Sequence, residues 1–187
     1  MCCEEVQMGL ALDYMPRYTI EDYKLWEGEW ELIEGIPYAM TPSPFGVHQA
    51  VMMEIGRQIS NQLEGCSLCF VYPELDWIID EHTVVRPDLM VVCKKIKEHL
   101  KEPPQVAIEV VSSSTASKDE IVKFYLYEKE GVDYYMLVYP ELRKARIFQL
   151  KDGKFQKVFD GENGVFEFNL KGRCKLSIDF SKVWQKI

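Results

Sequence analysis

Two acidic residues stand where acids are costly. Asp88 lies inside the run Val84-Val85-Arg86-Pro87-Asp88-Leu89-Met90-Val91-Val92, and Glu109 inside Val106-Ala107-Ile108-Glu109-Val110-Val111. Each run is apolar enough to form a buried strand. A carboxylate in such surroundings costs on the order of several kcal/mol unless it is paired or changes its protonation. If the two strands are neighbours, both groups converge at one sheet edge. Two carboxylates plus water suit Mg²⁺, or Mn²⁺, since hard cations take oxygen ligands. The structural alternative is a pair of salt bridges, for example Arg86 with Glu109.

A lysine joins this pair. Asp119, Lys123 and Tyr127 recur at i, i+4 and i+8 and share one face of a helix expected from about Lys118 to Glu130. Val122, Phe124 and Leu126 flank Lys123, so its stem can lie buried while the ammonium reaches the carboxylates. A surface Asp119–Lys123 pair is the simpler alternative. His48, before a predicted helix, is a candidate for contacting phosphate or activating water. A lone histidine there more commonly makes a structural hydrogen bond. Ser112 to Thr115 carry hydroxyls but no G-x-S-x-G, so they read as a helix cap.

Positioning these groups needs a sheet with helices. Thr19 and Glu21-Asp22 mark a short helix to about Trp26. Trp30 to Met40 reads as a bent strand or hairpin around Gly35 and Pro37. Val51, Ile55, Ile59 and Leu63 recur every fourth residue, giving a helix from about Val47 to Leu63. Phe70 to Ile79, Thr83 to Val92 and Val106 to Val111 are the next strands. The helix that follows leads to a strand at Tyr134 to Val138, so 106–138 reads as a parallel crossover. Ala145 to Leu150 and Phe155 to Phe159 form a hairpin. Strands at Val165 to Phe168 and Leu176 to Phe180 are expected to finish the sheet. The class is α/β (α+β): a mixed sheet flanked by helices, with an added C-terminal hairpin region. Residues 1–17 read as a leader and 18–187 as a single domain.

Composition narrows the function. Of 187 residues, 47% are apolar and 28% charged, which fits a globular chain and excludes disorder and coiled coil. No apolar run reaches membrane-spanning length, and the start lacks a secretory pattern, so a cytoplasmic protein is expected. A net charge of −8 argues against broad coating of nucleic acid. The charge is uneven, however. Residues 1–140 carry 11 basic and 24 acidic side chains, and residues 141–187 carry 11 and 6. The basic end can present a positive face or a solvated hairpin edge. Cys66-Ser67-Leu68-Cys69 has the C-x-x-C spacing of zinc and redox sites. Zinc wants four ligands, and no second C-x-x-C or H-x-H pair follows at useful distance. The cysteines therefore read as thiols.

Taken together, the stretches Tyr18 to Tyr23, Trp30 to Gly35, Ser43 to Gln49, Val84 to Val92, Ile108 to Thr115 and Lys123 to Tyr135 resemble the Uma-type family of restriction-endonuclease-like proteins, within the PD-(D/E)XK nuclease superfamily. The resemblance covers about residues 18 to 150. It implies a restriction-endonuclease-like fold and a Mg²⁺-dependent endonuclease that hydrolyses DNA phosphodiester bonds. Asp88 and Glu109 would be the metal ligands. The position of the motif's lysine is held by Val111, so the resemblance points to Lys123 on the following helix. It also raises Glu34, Glu31 and Asp76 as further ligands. A homodimer is expected from the prevalence of two-fold pairs. Two rivals remain: a catalytically degenerate nuclease fold acting as a binding or interaction module, and a metal-free carboxylate-pair hydrolase such as a glycosidase.

Overall fold

The computed structural model of the chain describes residues 16–40, 46–170 and 174–187. Most of the expected leader lies outside the described residues. The chain forms two compact units, Met1–Pro42 with Ile78–Val85, and Ser43–Trp77 with Arg86–Ile187.

In the first unit, α1 (Ile20–Tyr23) begins with a capping box: the Thr19 hydroxyl receives the Asp22 N–H, and the Asp22 carboxylate receives the Thr19 N–H. Strands β1 (Trp30–Ile33) and β2 (Ile36–Ala39) form a hairpin with Ile33 opposite Ile36. Its two turn residues, Glu34 and Gly35, both have positive φ (50° and 79°), the conformation that matches strand twist in a two-residue hairpin. Pro37 sits within β2 rather than at the bend. Strands β4 (Trp77–Asp80) and β5 (Thr83–Val85) complete a four-stranded sheet ordered β2-β1-β5-β4.

The second unit holds a six-stranded sheet ordered β10-β9-β8-β7-β6-β3. Its strands are β3 (Phe70–Pro73), β6 (Leu89–Val92), β7 (Val106–Val110), β8 (Tyr134–Tyr139), β9 (Lys144–Lys151) and β10 (Lys154–Gly161). Only β7 and β8 pair in parallel, as the expected crossover requires. The helix α2 (Gly46–Leu63) buries Val51, Ile55, Ile59 and Leu63 against Leu89, Val91, Ile108, Val110, Met136 and Val138. Each such side chain contributes roughly 1.5–3 kcal/mol.

Three expectations need correction. The stretches 70–79 and 83–92 are each two strands, divided between the two sheets. The first breaks after Pro73, where Glu74 takes a positive φ of 45°. The second breaks at Arg86-Pro87-Asp88, because Pro87 has no N–H for a ladder. Strands β11 (Val165–Asn169) and β12 (Lys175–Asp179) do not finish the large sheet; they pair with each other as a separate ribbon. The helix over 118–130 opens as a π-helix, Lys118–Lys123, before continuing as α3 (Phe124–Glu130) and stopping at left-handed Gly131. A last short helix, α4 (Phe180–Val183), follows β12.

Candidate active site

Strands β6 and β7 run antiparallel, with Leu89 opposite Ile108 and Met90 opposite Ala107. Asp88, one residue before Leu89, and Glu109, one residue after Ile108, therefore stand at the same end of this pair. Asp88 stands just outside β6 because the ladder stops at Pro87. Its Oδ2 accepts the Val110 N–H at 2.6 Å, which fixes the carboxylate at the end of the β6–β7 pair.

Glu109 is buried, and its Oε1 accepts from two groups on the crossover helix. The Lys123 ammonium donates at 2.9 Å and the Tyr127 hydroxyl at 2.9 Å. Lys123 also lies 3.8 Å from Asp119 Oδ1, and all three charged groups are at most 4% exposed at the side chain. The helical face read from the sequence therefore forms, although its first half is wound as a π-helix. Tyr135, on β8, donates to the Asp119 carbonyl at 2.9 Å. Burial first, and then the charges of Glu109 and Asp119, raise its phenol well above the ordinary value, so it stays protonated as a donor. The Tyr127 hydroxyl was not singled out as a site group from the sequence. Its place one helical turn beyond Lys123 was the available signal.

His48 lies in the first turn of α2, inside the helix rather than before it. Its Nε2 is 3.2 Å from Asp88 Oδ2. Burial lowers its basicity, but the hydrogen bond and charge of Asp88, with Glu74 and Asp119, outweigh this, and the net pKa is raised. Its Nδ1 is buried without a protein partner. His48 also lines a cleft of roughly 440 Å³ with Val47, Val111, Ser112, Glu141 and Arg143. Ser112 and Thr115 are engaged with each other in a local turn rather than capping the helix, at whose N-cap, Ser117, the side chain makes no capping hydrogen bond.

Arg86 binds Asp76 at 2.7 Å, and Glu109 takes Lys123 at 2.9 Å. Glu31 and Glu34 stand in the β1–β2 hairpin of the first unit, Glu31 fully buried and Glu34 in the turn. Glu54, on α2, is held by Arg57 and Gln58. The basic side chains of the β9–β10 hairpin are largely engaged: Lys144 and Lys157 with Asp160, Arg146 with Glu120 and Asp160, and Lys154 with Glu128.

Asp88 pairs with His48, and Glu109 and Asp119 with Lys123, in a part-buried setting where electrostatic interactions are stronger than in water. The oxygen donors of Asp88 and Glu109 fit Mg²⁺ or Mn²⁺.

The family model "Uma2: Putative restriction endonuclease" matches residues 20–167. A solved structure from Anabaena variabilis, described as "a putative nuclease belonging to DUF820", superposes with a TM-score of 0.73 at 17% identity. That match covers 89% of this chain and 97% of the other, and carries the fold. No curated protein matches the chain. No helix among the described residues is long and apolar enough to cross a membrane.

Proposed function

The chain belongs to the Uma2 family, "Putative restriction endonuclease", and from that membership we propose that it is a divalent-metal-dependent endonuclease hydrolysing DNA phosphodiester bonds. The observation that carries the proposal is the placement of two carboxylates at one end of the β6–β7 pair: Asp88 accepts the Val110 N–H, next in sequence to Glu109, at 2.6 Å, and Lys123 lies 2.9 Å from Glu109.

Asp88 and Glu109 would hold the metal. When bound, it lowers the pKa of a water and stabilises charge developing on the phosphate. The Val110 N–H keeps Asp88 oriented, and Tyr127 and Lys123 keep Glu109 aimed. Lys123, beside Glu109, would orient the water and offset charge at the phosphoryl oxygens. His48, with raised basicity, presents its Nδ1–H as a donor to a phosphate entering the cleft, while Arg143 on the same cleft adds positive charge.

A second reading has specific support. Glu109 Oε1 already accepts two hydrogen bonds, and the basic residues of the β9–β10 hairpin are engaged with acids. Both features suit a catalytically degenerate binding module. Cleavage assays decide. Single- and double-stranded DNA are incubated with the protein in Mg²⁺ or Mn²⁺ and in EDTA. Metal-dependent cleavage that Asp88→Asn and Lys123→Met each reduce by at least about 100-fold supports the enzyme. DNA binding without cleavage, unchanged by either variant, supports the module.

A further inference from the structure

Four cysteines from four places in the second unit come together as two linked pairs. Cys66 follows the last turn of α2, Cys69 precedes β3, Cys93 follows β6, and Cys174 precedes β12. The sulfurs of Cys66, Cys69 and Cys174 all lie within 4.8 Å of one another. The Cys93 sulfur is bonded to that of Cys69, and the Cys66 sulfur to that of Cys174. We propose that these four residues form a structural zinc centre, holding one Zn²⁺ as four thiolates.

The first support is convergence. Two disulfides need only two separate pairs, whereas here three sulfurs drawn from both pairs share one cluster, and the fourth, that of Cys93, is joined to Cys69. Zn–S bonds of about 2.3 Å put ligand sulfurs roughly 3.8 Å apart, inside the observed spread. The second is the ligand set. Cys66 and Cys69 have C-x-x-C spacing, and an all-thiolate set selects a soft ion such as zinc. The sequence reading missed the site because its other two ligands come singly, from Cys93 and Cys174, rather than as a second pair.

The location gives the metal a purpose. Strand β12 lies along α2 through two glutamines one turn apart. Gln58 exchanges hydrogen bonds with the backbone of Asp179 (2.9 and 3.2 Å), and Gln62 with that of Ser177 (2.7 and 2.9 Å). One turn beyond Gln62 stands Cys66, and next along β12 comes Cys174, so the metal closes the series. It would tie the β11–β12 ribbon to α2 and to β3 and β6 across 108 residues of sequence. Cys69 and Cys93 supply the buried side, while Cys66 and Cys174 line a cleft of roughly 450 Å³ through which an ion can enter. A thiol reductant supplies two electrons and two protons to each pair, giving four thiols, and binding of Zn²⁺ then releases the four protons, leaving a tetrathiolate complex of net charge −2 beside Lys175.

The test is elemental analysis of full-length protein purified under a phosphine reductant without chelator. The expected result is one zinc per chain, with Cys66, Cys69, Cys93 and Cys174 protected from alkylation until the metal is stripped. Cobalt(II) should replace zinc and give the visible d–d bands of a tetrahedral tetrathiolate. Cys174→Ser should lose the metal; if that variant fails to fold, the wild-type stoichiometry and cobalt spectrum still decide. A metal-free protein with these four thiols reactive overturns the proposal. So does a metal-free protein, purified without reductant, whose mass shows two disulfides and which takes up no cobalt on reduction.

Discussion

Lys123 donates to Glu109 at 2.9 Å from a helix that begins with a π-turn, while Val111, two residues beyond Glu109, is buried and apolar. The ammonium thus arrives at the carboxylate from the crossover and not from the strand.

That relationship gives Lys123 a structural role beside the one proposed for it. Lys123→Met removes a buried cation from Glu109 and Asp119 and should cost about 3–5 kcal/mol at neutral pH, read by urea denaturation. Millimolar Mg²⁺ should restore more stability to the variant than to the wild type, because an added cation relieves the same repulsion. A variant as stable as the wild type would contradict the burial of this pair.

The buried groups were legible as types and only partly as places. Asp88 and Glu109 stood out because apolar strands exclude acids, and Lys123 because it shares a helical face with Asp119 and Tyr127. The strand breaks were not legible. Pro87 and the left-handed Glu74 divide apparently continuous strands between two sheets, and only the pairing partners, remote in sequence, reveal it. The ribbon of β11 and β12 was misassigned because strand periodicity does not say which strand is the neighbour.

His48 offers a pH test in metal-free protein. Burial opposes its protonation, but Asp88 leads the interactions that raise its pKa above the ordinary 6.5. A raised folded pKa stabilises the fold fully below about pH 6.5, and that contribution is lost as pH rises through the folded value. Imidazole NMR should show this titration above 6.5, and Asp88→Asn should bring it down. A resonance titrating below 6.5 in the wild type would contradict the geometry.

Asp160 tests the charge balance of the β9–β10 hairpin. Hydrogen bonds from Lys144 and Lys157 lower its pKa from 3.8 to about 2. Its contribution is therefore present above pH 3.8 and disappears as pH falls toward 2. Asp160→Asn should cost at most about 1 kcal/mol at pH 7 and nothing near pH 2. It also releases two lysines, so DNA affinity at low salt should rise and its salt dependence steepen if this hairpin meets the phosphates. Unchanged DNA binding would place the contact elsewhere.

The most direct measurement is a calorimetric titration of Mg²⁺ or Mn²⁺ into the wild type and into Asp88→Asn, with circular dichroism confirming that both are folded. A cation shared by Asp88 and Glu109 predicts saturable binding in the wild type and its loss in the variant. Equal binding by both proteins, or no binding by the wild type at millimolar ion, would contradict the metal-dependent site.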